Sequence, residues 1–470
     1  MSRAFSRSAV APKLSGTPVI GRSASEFPGN FPELCHDFLG CCSQNSCTQP
    51  RRPQSGNKIM NANRRNALVA VTLLALVRPA HADVIVDWNQ WAIDFIVSHK
   101  MPPPPAERLL AMTHAAMFDA VNSIEHKYRP YLTELPSSAT ASKEAAAAAA
   151  AGTVLAGANP AARAEWDAVL AAYLAAIADS EAKNEGVKLG EAVAVKMLAA
   201  RANDGANAPD VYRPRTTPGV YVPTVTPLAT QWPGVKPFAM TTASQFRPAP
   251  PIALASAEWA TNYNEIKELG SSASIKRSAR QSEDAHFWLA VDGRVYYPLI
   301  STLAADKKLS LIDCARLFAL TAVARADGLI AVFDAKYHYE FWRPVTAIRN
   351  GDIDDNPSTE RDAAWQPIDA TPMHPEYPCA HCIESAAVAG VVQAVFGTAE
   401  IPEVSMTSPT APGVIHRWTN VRAFTDEVSQ ARIWSGFHYR FSTKVGQDMG
   451  YKIGEYVVNN FMQPVAAPTR

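Results

Sequence analysis

Lys336, Arg343, His381, Arg432 and His438 fall in three short segments in the C-terminal third of this 470-residue chain. The segments are Lys336-Tyr-His-Tyr-Glu-Phe-Trp-Arg343-Pro344, Tyr377-Pro-Cys-Ala-His381-Cys382 and Ala431-Arg432-Ile-Trp-Ser-Gly-Phe-His438. Lys336, Arg343 and Arg432 bring positive charge into stretches that are otherwise aromatic or apolar, where a charge needs a partner. A guanidinium offers paired, planar N–H donors that match two oxygens of a tetrahedral oxyanion. His381 and His438 could then act on opposite sides of such an anion, one as acid–base and the other as ligand or nucleophile. Any one segment alone would be weak, but the ordered set points to an oxyanion pocket.

This set resembles the signature of the vanadium-dependent haloperoxidases and the related type 2 phosphatidic acid phosphatases, which runs Lys-x6-Arg-Pro, Pro-Ser-Gly-His and Ser-Arg-x5-His. Here the first block is complete, the second reads Pro378-Cys379-Ala380-His381, and the third reads Ala431-Arg432-x5-His438. Phe287-Trp288-Leu-Ala-Val-Asp292-Gly293, Ala315-Arg-Leu-Phe-Ala-Leu320 and Glu340-Phe-Trp-Arg-Pro344 also resemble fungal chloroperoxidase stretches. The likeness runs over roughly residues 280 to 450, with nothing comparably specific upstream.

The resemblance implies a vanadate cofactor, with hydrogen peroxide and bromide or chloride as reactants. Lys336, Arg343 and Arg432 would bind the oxyanion, His438 would be the metal ligand and His381 the acid–base residue. Asp292 would hydrogen-bond the far nitrogen of the ligand histidine, although Asp-Gly is also a common turn. The same residues would serve a phosphatase without vanadate, in which His438 attacks a phosphate ester to form a phosphohistidine, because vanadate mimics phosphate. A third reading is an oxyanion-binding homologue with impaired turnover. His374 stands where the algal bromoperoxidases carry histidine and the chloroperoxidases phenylalanine. Phe333 replaces the family's tryptophan, so halide preference stays open.

The departures lie in the second block. Cys379 takes the place of a serine that donates to an equatorial oxygen, and Ala380 that of a glycine whose backbone N–H serves the same purpose. A thiol is a weaker donor than a hydroxyl and is open to oxidation by peroxide. In an exported protein Cys379 and Cys382 could instead form a disulfide, which protects the sulfur and removes the donor. His374, Cys379, His381 and Cys382 would also make zinc ligands, but the single Tyr377 between His374-x-Glu376 and Pro378-Cys-x-x-Cys382 leaves no room for a zinc deaminase fold.

Lys plus Arg equals Asp plus Glu at 44 each, so no global field favours nucleic acid or an anionic membrane. Residues 60–82 read as a signal peptide: Arg64-Arg65, the apolar run Ala67 to Val77, then Ala80-His-Ala82. Export follows as the expectation, with Asp83 as first mature residue. Residues 1–59 read as a disordered or mis-annotated extension. No later stretch is a continuous apolar run long enough to span a bilayer, so no transmembrane core is expected.

The expected fold is an all-α bundle: a helical region over 83–208, a Pro-rich connection over 209–252 and a helical core over 253–465. Leu110, His114, Phe118 and Val121 share one helical stripe, which reads as core packing. Helices are expected over Lys143–Leu155, Leu309–Phe333, Ser385–Phe396, Asp426–Ser435 and Lys444–Asn459. The Ala-rich run at Lys143 has helix propensity but little to pack specifically. Ten of the chain's 36 prolines lie between Pro209 and Pro251, which excludes a long helix there.

Overall fold

The computed structural model describes residues 83–290 and 292–465. The extension and leader expected over 1–82 lie outside the described residues.

Helices α1 (Val84–Ser98), α2 (Pro103–Glu125), α3 (Lys143–Ala158), α4 (Arg163–Ala175) and α5 (Glu181–Arg201) form the first layer. Their starts follow from local chemistry. Asp83 accepts from the Ile85 backbone N–H, prolines open α2, and Ser142 and Ser180 cap α3 and α5. His114 is buried in the core, as the stripe implied. The Ala-rich run has a more specific role than its composition suggested. Ala145 to Ala151 are fully buried, and a Cβ at Gly190 on α5 would collide with the Ala146 carbonyl. Small side chains are what let α3 and α5 approach this closely.

The second half carries α6 (Ala257–Leu269), α7 (Ala279–Phe287), α8 (Tyr297–Asp306), α9 (Leu311–Tyr339), α10 (Pro344–Arg349), α11 (Ala380–Phe396), α12 (Val421–Trp434) and α13 (Arg440–Asn460). Helix α9 is buried on every face through most of its 29 residues, the pattern of a central core helix. It ends where Glu340 adopts a left-handed conformation (φ 49°). Thus Lys336 sits in its last turn and Arg343 just beyond.

The all-α expectation holds, with one addition. Strands β1 (Glu400–Ser408) and β2 (Ala411–Asn420) form an antiparallel hairpin that pairs Val404 with Trp418 and Met406 with His416. Its alternation was hidden because Pro402, Pro412 and Gly413 interrupt the pattern and the inward set mixes Val, Met, His and Trp. Among the described residues no helix is long and apolar enough to cross a membrane.

Two features fix the site's framework. The Pro-rich stretch runs irregularly along α9, where the Asp327 carboxylate accepts from the backbone N–H groups of Phe238, Ala239 and Met240 at 2.6–2.8 Å. Helices α11 and α13 meet along Gly446, Gly450 and Gly454, each facing a backbone carbonyl of α11 or of its cap. A Cβ at Gly446 would stand 2.6 Å from the Cys379 carbonyl oxygen. Gly446→Ala is therefore expected to destabilise the protein by about 1–3 kcal/mol, despite alanine's higher helix propensity. The midpoint of chemical denaturation reads this, and an increase would show that the close approach is not needed.

Candidate functional site: a buried cationic pocket

The loop before α11 turns through a cis Tyr377–Pro378 bond and delivers His381 in the first helical turn. Arg432 lies in the last turn of α12, and His438 in the short connection to α13 after Gly436. Gly436 has φ +78°, and a Cβ there would stand 2.5 Å from the Gly270 carbonyl oxygen, so the turn that aims His438 needs glycine.

The pocket is built on buried cations. Lys336, Arg343 and Arg432 are at most 1% exposed. Lys336 Nζ donates to the carbonyls of Pro375 (2.8 Å) and Glu376 (2.7 Å). Arg343 donates through Nε to the His374 carbonyl (2.8 Å) and through one terminal nitrogen to the Phe437 carbonyl (3.0 Å). Arg432 donates to the Trp288 carbonyl (2.6 Å) and lies over the Phe437 ring, while its buried Nε has no hydrogen-bond partner. Among the described residues none of the three forms an ion pair with a carboxylate. Burial lowers the pKa of all three, Arg343 to about 10 and Arg432 to about 9, as expected for cations short of counter-charge.

His438 is oriented from behind. Its Nδ1 lies 2.8 Å from Glu376 Oε1, which also accepts from the Tyr439 backbone N–H (3.1 Å). A carboxylate accepts, so Nδ1 carries the proton and Nε2 presents its lone pair, 3.3 Å from an Arg343 terminal nitrogen. Burial first, then the nearby cations, hold the His438 pKa well below the ordinary histidine range. Burial raises Glu376 to about 7, with Lys336 and Arg343 opposing it. His381 Nε2 lies 3.3 Å from the Ala290 carbonyl, which assigns the proton to Nε2 and leaves Nδ1 as the acceptor. Burial, then Arg432, also depress its pKa.

A cavity of about 360 Å³ brings together His374, Ala380, His381, Arg432, His438 and Phe333. Ala380 is the first residue of α11, where a backbone N–H has no intrahelical partner. The His374 ring packs at 61° on Phe333 with centroids 5.2 Å apart, and its Nδ1 lies 3.0 Å from an Arg343 terminal nitrogen. Arg343 lines an adjoining cavity that shares the Asp369–Met373 wall. Lys336 lines neither cavity and lies under the backbone of Pro375 and Glu376.

Two expectations are corrected. Asp292 does not hold the ligand histidine. It caps the turn Gly293–Val295 and is bound at both oxygens by Arg294 (2.8 and 2.6 Å), so the Asp-Gly turn reading is the right one and Glu376 orients His438 instead. An acidic residue inside the histidine- and aromatic-rich run His374-Pro-Glu376-Tyr was the available signal. Cys379 is no thiol donor either, because it forms a disulfide with Cys382 at the head of α11.

The sequence also concealed Glu384, one turn after His381 and lining the same cavity. Arg325 binds it at 2.7 Å and Glu107 at 2.9 Å, with all three side chains at most 7% exposed. These partners come from three helices, so no local spacing announces them.

A profile of the VCPO second helical-bundle domain matches residues 316–467. The chain is 27% identical to the vanadium chloroperoxidase of Curvularia inaequalis over an alignment covering 37% of this chain and 38% of that protein's length. Its fold is similar to that of a bacterial vanadium-dependent iodoperoxidase, with a TM-score of 0.71 and 21% identity over 82% of this chain and 98% of the other. A bacterial vanadium-dependent chloroperoxidase in its holo form gives a TM-score of 0.59 and 17% identity over 76% of this chain and 92% of the other. The fold is thus the all-α architecture of the vanadium haloperoxidases. The similarity of sequence is confined to part of the chain, with the profile matching residues 316–467, whereas the similarity of fold runs over most of it.

Proposed function

We propose that this protein is a vanadate-dependent haloperoxidase that oxidises bromide, and less readily chloride, with hydrogen peroxide. The observation that carries the reading is the donor set. The unpartnered Arg432 Nε and the cations Arg343 and Lys336 surround a histidine whose Nε2 lone pair is fixed by Glu376. An anion that also accepts a nitrogen ligand fits that set, and vanadate is one. His438 would hold the vanadium, with Arg432, Arg343 and the Ala380 backbone N–H holding its oxygens and Lys336 adding positive charge from beneath the Pro375–Glu376 backbone. When bound, vanadate supplies a Lewis acid that polarises peroxide.

The chain's own residues do the rest. Glu376 keeps the His438 proton on Nδ1, so that Nε2 remains a ligand. His381, neutral at ordinary pH, takes a proton at Nδ1 and returns it. The apolar wall of Leu289, Leu329 and Phe333 limits water in the cavity. His374 supports bromide, being a polar residue at the position where the chloroperoxidases carry phenylalanine. The leader-like segment before Asp83 and the Cys379–Cys382 disulfide support an exported protein in an oxidising compartment. Amino-terminal sequencing of secreted protein checks this, and a product that keeps residues 1–59 would sink it.

The test is parallel assay of one purified, vanadate-loaded sample for bromide oxidation, chloride oxidation and phosphate release from an aryl phosphate. Bromide oxidation with vanadium bound is expected. Phosphate release without halide oxidation would transfer the site to phosphoester chemistry, and tight oxyanion binding without turnover would make it a binding protein.

Replacing the disulfide should strengthen cofactor binding. Cys379→Ser with Cys382→Ser introduces a hydroxyl donor at the cap of α11. A hydrogen bond to a charged group contributes about 1.5–3 kcal/mol, so vanadate affinity should rise by roughly tenfold or more. Vanadate titration of both proteins measures it. Equal affinities would place position 379 out of reach of the bound anion.

A further inference from the structure

A second constellation lies away from the cationic pocket, where the end of α7 meets β2 and α12. His416 is 2% exposed, and its ring stacks on Phe287 with centroids 4.0 Å apart and an interplanar angle of 4°. Its Nδ1 lies 2.6 Å from Glu427 Oε1. Glu427 is itself fixed by the indole N–H groups of Trp288 (3.0 Å) and Trp418 (3.1 Å). The carboxylate can only accept, so Nδ1 carries a proton, and in the neutral ring Nε2 bears the lone pair.

That lone pair has no hydrogen-bond partner. It faces Asp284 Oδ1 at 3.6 Å and Glu283 Oε1 at 3.7 Å, two more acceptors. An acceptor turned toward two acceptors calls for a positive centre between them. A charge-assisted N–H···O contact closes to roughly 2.7–2.9 Å, so neither oxygen is hydrogen-bonded to the ring directly. Ligands held at zinc bond lengths of about 2.0–2.2 Å in a tetrahedron stand roughly 3.3–3.6 Å apart, which is close to what the side chains show. The ligand atoms of Glu283, Asp284 and His416 all lie within 4.8 Å of one another. At present Arg280, 59% exposed, reaches the same oxygens from solvent, Asp284 Oδ1 at 2.9 Å and Glu283 Oε1 at 2.7 Å.

We propose that Glu283, Asp284 and His416 bind a divalent first-row transition-metal ion of the zinc type, with Glu427 orienting the imidazole and solvent completing the coordination. One nitrogen and two carboxylate oxygens suit such an ion, and its double charge balances the two carboxylates. The histidine backed by a carboxylate is the usual support for a metal-bound imidazole. Arg280 is the competing cation, which swings to solvent when the ion enters. The ion would tie α7 to the hairpin, directly before Trp288, whose carbonyl receives Arg432. The site involves none of the pocket residues and stands whether or not the pocket binds vanadate.

The test uses purified protein stripped with a chelator and titrated with zinc alone, read by calorimetry, metal analysis and thermal unfolding. The expected result is one zinc per chain and an unfolding temperature that rises with zinc concentration. Glu283→Gln, at a half-exposed position that leaves the core intact, should weaken binding at least about tenfold, and Glu427→Gln by about 10–100-fold. Arg280→Gln should tighten it. That last variant separates the readings: if Arg280 is simply the structural counter-charge, its loss lowers the unfolding temperature and zinc does not restore it. No stoichiometric uptake, or equal affinity in the wild type, Glu283→Gln and Arg280→Gln, would overturn the proposal.

Discussion

His438→Ala is expected to lower every activity of the pocket by a factor on the order of a thousand or more, while the protein stays folded. The ring carries a nitrogen lone pair that is both oriented by a carboxylate and directed among the buried cations. Removing a nucleophile or metal ligand of a working constellation costs nearly all of its rate enhancement. The structural cost is smaller, because Glu376 keeps the Tyr439 backbone N–H as a donor. Turnover measured beside circular dichroism and thermal unfolding separates the two effects. Retained activity in a folded His438→Ala protein would remove His438 from the chemistry.

The second large effect concerns stability. Arg325→Met should destabilise the fold by roughly 3–5 kcal/mol near pH 8, because it strands Glu107 and Glu384 in the interior without their shared cation. Arg325 also stacks over Tyr296, 4.4 Å from the ring centre, so packing is lost as well. Burial raises both carboxyl pKa values above their usual 4.5, and Arg325 opposes the rise. A raised acid holds its proton in the folded state longer than in the unfolded state, so its contribution to stability is lost as pH rises through the raised value. Without Arg325 both values rise further, and the loss steepens. The destabilisation should therefore be larger at pH 8 than at pH 5. Chemical denaturation at the two pH values reads it, and an equal penalty at both would mean that the two acids do not titrate with the fold.

How much of this was legible in the sequence depends on the length scale of each signal. Arg343, His381, Arg432 and His438 could be picked out because each sits at a fixed offset within one short segment, and a buried charge among aromatics is conspicuous wherever it lies. The helices of the core followed from apolar runs, and α9 from an uninterrupted one. What failed was partner choice. Asp292 and Glu376 are both acids near aromatic residues, and only the fold decides that Arg294 takes the first and His438 the second. The triad of Glu107, Arg325 and Glu384 joins residues 59 or more positions apart, and the cluster around His416 draws on α7, β2 and α12. The hairpin escaped because its inward positions are filled by Val404, Met406, His416 and Trp418, which share no single residue class. Glycine at 446, 450 and 454 reads as helix-weakening in isolation, and only the closeness of α11 gives the stripe its purpose.

Buried cations without a carboxylate partner around His438 form a site for one tetrahedral oxyanion. Equilibrium dialysis of the purified protein against vanadate, with vanadium quantified and phosphate added as competitor, tests it without reliance on turnover. One vanadate per chain is expected in the wild type, displaced by phosphate, with that uptake lost in Arg432→Ala and His438→Ala. Stoichiometric uptake that survives both substitutions, or no uptake in the folded wild type, would contradict it.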